Sequence, residues 1–395
     1  MHKSYVWKLL CGLVFLWNHT AAAQGVVQPY VLGSVTHHSN LFRLSKEMAP
    51  VASDTIMSRI EAGVQVDYLI SRQQLLFKAG VNWNKFERYE YLNYDGNDWL
   101  AVWKWQLGNL WQGDLGYTRN KTLANFSETQ ITATGDVRTH QSVFANVNYR
   151  LHPDWRLHGG GRWNNLKAGS TTAQLLNRDE TVGVLGVDYV THGDNSIGMQ
   201  SEFIEARFPE REIISASSFD NGYSQMTINS VADWKYSGNS RFRGRVGYTQ
   251  RRYNELAIRD FNDMTGRLTY DLSITGKTLL SVAAWREVGG VGDVISTFAV
   301  TKGSSLDVSW FPTSKIFIRG GVAYRSQDFR ADSAFVLGVD GKREDETRTV
   351  SASLGYSPLQ NIQLSLDGVV EQRDSTRMFI DYNYRLLTAN IKVSF

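Results

Sequence analysis

Apolar and polar residues alternate with a period of two along nearly the whole chain. In TIMSRIEAGVQVDYLI, Ile56, Ile60, Ala62, Val64, Val66, Tyr68 and Ile70 fall on one face, with Arg59, Glu61, Gln65 and Asp67 opposite. DWLAVWKWQL repeats the pattern with Trp99, Ala101, Trp103, Trp105 and Leu107, and QMTINSVADWKY sets Met226, Ile228, Ala232, Trp234 and Tyr236 against Thr227, Asn229, Asp233 and Lys235. Successive side chains of a strand point to opposite faces, so the pattern predicts strands that divide two chemically different environments.

Gly, Pro, Asn, Asp and Ser punctuate the alternation in two styles. Tight turns are predicted at SRQQ, NLWQGD, HPDW, HGDNS, SGNS, TGKT, PTSK and SPLQN. Between them run longer polar connections such as RNKTLANFSETQITATGDVR, ARFPEREIISASSFDNG and SQDFRADSAFVLGVDGKREDET. Eight short turns alternating with nine long connections give 18 strands, with 16 as the alternative because the segments around Trp285 to Val300 and around Arg348 alternate less cleanly. An even strand number, with short turns on one rim and long loops on the other, is the arrangement of an outer-membrane antiparallel β-barrel.

Alternation alone also fits a soluble sandwich with one wet face, but such folds usually end near roughly 200 residues. Here one rhythm fills residues 24–395 without a linker, fixed-period repeat or low-complexity tract, which predicts a single domain. The chain holds 12 Trp, 18 Tyr and 18 Phe. Trp99, Trp163, Trp234, Tyr236, Trp310, Tyr324 and Tyr356 fall near predicted strand ends, where the interfacial girdles of a barrel lie. Past the first residues no apolar run approaches the ~18 residues of a membrane helix, which leaves a closed sheet as the spanning structure.

Residues 1–23 read as a secretory leader. Lys3 and Lys8 make a basic start, LLCGLVFLW an apolar stretch, and TAAAQ a small-residue cleavage site after Ala23. Leu10 before Cys11 does not fit a lipoprotein signal, so export without a lipid anchor is expected. Cleavage would remove the one cysteine and two of the 42 Lys and Arg, leaving 40 against 39 Asp and Glu. A nearly neutral chain has no bulk attraction for nucleic acid, and without thiols it must be held by burial and hydrogen bonds.

If the apolar face meets lipid, the polar face lines a lumen. In RFRGRVGYTQRR, Phe242, Val246 and Tyr248 then point out, and Arg241, Arg243, Arg245 and Arg251 point in. The same phase places Arg59, Lys78, Arg150, Arg156, Arg162, Arg267, Arg319 and Arg325 inside, with Glu61, Asp67, Glu202, Asp233, Asp271, Asp307, Asp367 and Glu371 among them. Arginine's forked donors suit carboxylates, phosphates and sugar hydroxyls, so Arg59, Arg150, Arg162, Arg241, Arg243, Arg245, Arg267, Arg319 and Arg325 are the candidate solute path. The competing reading is cross-strand ion pairs that stiffen the wall. Arg241, Arg243 and Arg245 resist it most, since like charges at i, i+2 repel unless acids or a ligand face them.

Catalytic and metal chemistry find no constellation. His37 and His38 point to opposite faces of a strand, HExxH and GxSxG motifs are missing, and Gly159 to Gly161 lie inside a predicted strand where they ease curvature. No cofactor and no enzymatic activity are expected.

PYVLGSVTHHSNLFRLS, YSGNSRFRGRVGYTQRRYNE, RDFNDMTGRLTYDLSITGKTLLSVAAWRE and LGYSPLQNIQLSLDG together resemble the EpsL-type outer-membrane barrel family. That resemblance implies a role in biosynthesis or export of extracellular polysaccharide, with polysaccharide, outer-membrane lipid, the barrel assembly machinery and periplasmic export proteins as partners. The expectation is a passive conduit for polysaccharide. The alternatives are a general diffusion porin for small solutes and a non-conducting barrel that anchors export machinery.

In TANIKVSF, Ala389, Ile391, Val393 and Phe395 share one face, and Asn390, Lys392 and Ser394 the other. A last strand of this kind is expected to pair with the first, near QPYVLGSV, with Phe395, Val393 and Ile391 as the signal read during assembly. Tyr382, Tyr384 and Leu386 fall on the opposite parity, which predicts a bulge near Leu387.

Overall fold

The computed structural model describes residues 25–48, 53–127, 135–211, 221–255, 257, 260–289, 296–331 and 343–395. The leader at 1–23 lies outside the described residues, as do the middle parts of the three long connections quoted above.

Eighteen strands follow one another around a single sheet: β1 (Gly25–His38), β2 (Thr55–Ile70), β3 (Gln73–Phe86), β4 (Tyr94–Leu107), β5 (Trp111–Leu123), β6 (Val137–His152), β7 (Trp155–Lys167), β8 (Arg178–Val190), β9 (Ser196–Arg207), β10 (Gly222–Ser237), β11 (Ser240–Tyr253), β12 (Phe261–Thr275), β13 (Thr278–Gly289), β14 (Ser296–Thr313), β15 (Ile316–Ala331), β16 (Glu344–Leu359), β17 (Ile362–Ser375) and β18 (Tyr382–Ser394). Each pairs antiparallel with its sequence neighbours, and β18 pairs with β1 from Tyr30 opposite Ser394 to His38 opposite Leu386. The sheet is therefore a closed barrel without an edge. Every tight turn sits where the punctuation placed it, and the alternative of 16 strands is excluded: Trp285 lies within β13 and Arg348 within β16.

Side chains divide as the alternation requires. Ile60, Leu185, Tyr248 and Met264 stand out from the wall, as do Trp99, Trp163, Trp310, Tyr324 and Tyr356 toward its rims, whereas Glu61, Thr227 and Thr249 are buried on the inner side. An outer surface so rich in exposed apolar groups is stable only against hydrocarbon. Gly159 to Gly161 lie in β7, and Gly160 leaves the space that the Asn146 side chain fills.

The last strand corrects one expectation. Its register with β17 runs unbroken from Val393 opposite Ile362 to Tyr382 opposite Arg373, and with β1 it is equally continuous. No bulge occurs near Leu387. Tyr382 and Tyr384 instead keep the phase of Lys392 and Asn390 and point into the lumen, because they have polar partners there rather than lipid.

At the seam, Tyr30 donates to Glu61 at 2.6 Å, and the ring needs the space left by Gly63, where a Cβ would lie 2.6 Å from the hydroxyl and 2.5 Å from the Ala79 carbonyl. Gly63→Val is expected to displace Tyr30 and lower stability by about 1–3 kcal/mol. Urea unfolding in detergent would show the shift, and a midpoint equal to the parent's would refute this packing.

Candidate functional site: the lumen and its constriction

Strand register decides which lumenal charges meet. Arg241 on β11 bonds Asp233 on β10 (Nε to Oδ1, 2.7 Å), Arg243 bonds Asp271 on β12 (2.6 Å), and Arg245 shares Glu287 on β13 (2.6 Å) with Arg267 (2.8 Å). Arg59 is paired likewise with Glu61 and Asp98. The arginine triplet is therefore explained by Asp233 and Asp271, each two residues out of register on an adjacent strand, and by Glu287 one strand further on, and the stiffening reading holds for these five. Their stabilising effect is modest where water has access.

The remaining four candidates differ. Arg150, Arg162, Arg319 and Arg325 occupy the lumenal phase of β6, β7 and β15, are exposed, and have no carboxylate partner among the described residues. Arg319 stacks on Phe317 with its guanidinium carbon 4.8 Å from the ring centroid, and Arg162 lies 6.0 Å from that of Phe144. Stacking orients a guanidinium without neutralising it, so these groups keep donors for an anion in the lumen.

The interior is open in this region. The side chains of Arg241, Arg243 and Arg245 are 45, 50 and 47% exposed although they point into a closed cylinder.

Toward the long-loop rim the lumen narrows. The β1–β2 connection turns inward, closed by Leu41 N–H donating to the Ser53 carbonyl at 2.7 Å and Phe42 N–H to the Ser53 hydroxyl at 2.9 Å. Phe42 meets Tyr89 of the β3–β4 connection (centroids 4.7 Å apart) and Phe126 of the β5–β6 connection (5.0 Å). With Leu41, Phe86 and Leu92 they form an apolar cluster, so three loops pack as one body. That body is tied to the wall. Arg43, at φ 57°, lays its guanidinium 3.1 Å from the Tyr384 ring centroid and 3.8 Å from Glu371, and Arg373 on β17 donates to the Ser127 carbonyl of the β5–β6 connection at 2.7 Å. A left-handed arginine costs about 1 kcal/mol, which cation–π stacking offsets.

The wall at this point is a buried polar network. Tyr382 donates to Glu371 at 2.7 Å, the Tyr384 hydroxyl meets His38 Nδ1 at 2.8 Å, and Asp345, wholly buried, takes bonds from Arg343 at 2.7 Å and Ser375 at 2.6 Å and faces Arg373 at 3.7 Å. On another arc, Arg251 is held by Gln225 (2.7 and 2.9 Å) over the Tyr223 ring, inside a cluster with Tyr253, Phe261 and Phe298. Of these residues the sequence reading placed Arg251 and Glu371 in the lumen and missed Arg43, Arg343, Arg373, Tyr382 and Tyr384. The signal for the two tyrosines was present, as aromatics in lumenal phase. Because Asp345 would keep only part of its neutralising set, Arg373→Met is expected to cost about 2 kcal/mol. Equal unfolding midpoints for parent and variant would contradict that assignment.

Charged groups thus line a wet bore in the short-turn half, and a loop body bonded across the lumen restricts it at the other end. No family model matches the chain, and no curated protein does. Solved structures do. OccK2 (OpdF) of Pseudomonas aeruginosa, in complex with glucuronate, is 8% identical with a TM-score of 0.52, covering 94% of this chain and 98% of that one. OccK9 (OpdG) of the same organism is 12% identical with a TM-score of 0.52 over 94% and 99%, and Acinetobacter baumannii OccAB3 is 10% identical with a TM-score of 0.49 over 94% and 99%. The likeness is one of fold, and it corrects the polysaccharide-export expectation. Of the structures matched over their whole length, that of OccK2 holds glucuronate rather than a polymer. The chain is an 18-stranded outer-membrane β-barrel.

Proposed function

We propose that the barrel is a passive diffusion channel for small hydrophilic solutes, with a preference for anions, inserted after removal of residues 1–23 as a leader. One observation supports this most: lumenal arginines are half exposed to water inside a closed 18-stranded cylinder. A barrel of that size leaves an aqueous passage, and the cross-lumen loop body sets an upper limit on what passes. Arg150, Arg162, Arg319 and Arg325 supply uncompensated donors for a carboxylate, which makes a uronate of the kind bound by OccK2 a suitable first probe. The resemblance to EpsL-type barrels rests on the strings quoted above alone.

Liposome swelling tests the reading. Vesicles containing the full chain are expected to swell fastest in glucuronate, more slowly in glucose, and not at all in polysaccharide. Swelling in polysaccharide would favour a conduit, and no swelling in any solute would favour a non-conducting scaffold.

A further inference from the structure

The outer wall of β4 to β7 carries two features that the channel does not use. Near the long-loop rim, Arg119 and Lys121 on β5 and Lys167 on β7 fall on the lipid-facing side. Arg119 stands opposite Trp99 and Gln141, and Lys121 opposite Thr139, which in turn faces Lys167. The outward phase is fixed by Trp99 and Trp163, both exposed on the barrel's exterior. Among the described residues none of the three cations has a carboxylate partner. The Nε of Arg119 is buried without a hydrogen-bond partner, and so is the Oδ1 of the adjacent Asn97. Of the acids on the flanking strands, Asp179 on β8 is bonded by Asn165 at 2.7 Å and stands opposite Arg207, and Asp95 on β4 stands opposite Trp83.

Lower on the same strands is a groove of about 300 Å³, lined by Trp103, Leu115, Ala145, Val147 and Gly159. Gly159 holds it open, since a Cβ there would project toward Leu185 with only ordinary contacts. Leu115 lies four residues from Arg119 along β5. At ~3.3 Å per residue the groove begins roughly 13 Å from the cations, near half of a hydrocarbon core about 30 Å thick.

Unpaired cations at the level of the aromatic girdle and an apolar slot one acyl chain below match a membrane lipid with an anionic head. The long-loop rim of such barrels is the extracellular one, so the lipid belongs to the outer leaflet. We propose that this face binds one phosphorylated glycolipid of the outer leaflet, its phosphate held by Arg119, Lys121 and Lys167 and one acyl chain lying in the groove. The site is independent of what the lumen conducts.

Native mass spectrometry of the full chain in detergent, titrated with rough-type lipopolysaccharide, phosphatidylglycerol or inorganic phosphate, tests it. The lipopolysaccharide adduct is expected to weaken by about tenfold or more in the combined Arg119→Gln, Lys121→Gln, Lys167→Gln variant. Gly159→Leu, which fills the slot and spares the cations, is expected to weaken the adduct by ~3-fold or more. Both variants are expected to keep the parent's heat-modifiable gel mobility and conductance. Should the charge variant fail to fold, Gly159→Leu alone decides. Undiminished lipopolysaccharide binding in folded variants would overturn the site, equal binding of phosphatidylglycerol would overturn the glycolipid, and equal binding of inorganic phosphate would overturn the lipid.

Discussion

Replacing Phe42, Arg43 and Phe126 together with serine is expected to raise single-channel conductance at least about twofold and to admit larger solutes. The three residues tie the loop body: Phe42 packs between Tyr89 and Phe126, and Arg43 holds the body to Tyr384 and Glu371. Serine removes the aromatic contacts and the cation, so the body loses its internal packing and its attachment through Arg43 to Tyr384 and Glu371, while the bond from Arg373 to the Ser127 carbonyl remains. The barrel wall is expected to survive, since its pairing does not include these positions. Current traces in planar bilayers check the outcome. An unchanged conductance would mean that the narrowest point lies elsewhere, for example at Arg251 and its aromatic neighbours.

The second large effect concerns selectivity. Converting Arg150, Arg162, Arg319 and Arg325 to glutamine is expected to shift the zero-current potential in a salt gradient by ~10 mV or more toward cation preference, because uncompensated positive charge leaves the wall of an aqueous bore. Neutralising ion pairs as units, Arg241→Gln with Asp233→Asn and Arg243→Gln with Asp271→Asn, removes as many charged groups without changing net charge. That variant is expected to keep the parent's potential. Identical shifts in the two variants would show that arginine position, not uncompensated charge, sets preference. Adding glucuronate should reduce the parent's current more than that of the four-arginine variant.

Much of the wall was legible from the chain because one physical requirement acts at every position. A residue facing hydrocarbon must be apolar and its neighbour need not be, so Ile60 against Glu61, or Val246 against Arg245, declares its side locally. Tight turns were equally plain, since Gly, Asn, Asp and Pro are required there by backbone geometry. The lumen was half legible. Phase placed Arg241, Arg243 and Arg245 inside, but which acid neutralises each depends on the register of three neighbouring strands. Asp271 and Glu287 lie far from these arginines in sequence, and nothing local announces them.

The constriction was not legible at all. Arg43, Phe42 and Phe126 belong to long connections with no alternation, and their inward fold follows from one another's rings and from Tyr384, a long-range partner. The tyrosines of β18 show how the reading failed. Their parity conflicted with Ile391 and Val393, and a bulge was inferred to return them to lipid. They are lumenal, since Tyr382 donates to Glu371 and Tyr384 meets His38 and Arg43. Where aromatic residues break the lipid phase of a strand whose register is continuous, a lumenal contact is the better inference.

The central claim is that this closed cylinder conducts small solutes, and one recording tests it most directly. Full-length protein, shown to be folded by heat-modifiable migration, is added to a planar bilayer in molar KCl. The account predicts discrete, long-lived, ohmic steps that glucuronate partly blocks and that polysaccharide does not cross; a bilayer that stays silent with folded barrel inserted would contradict it.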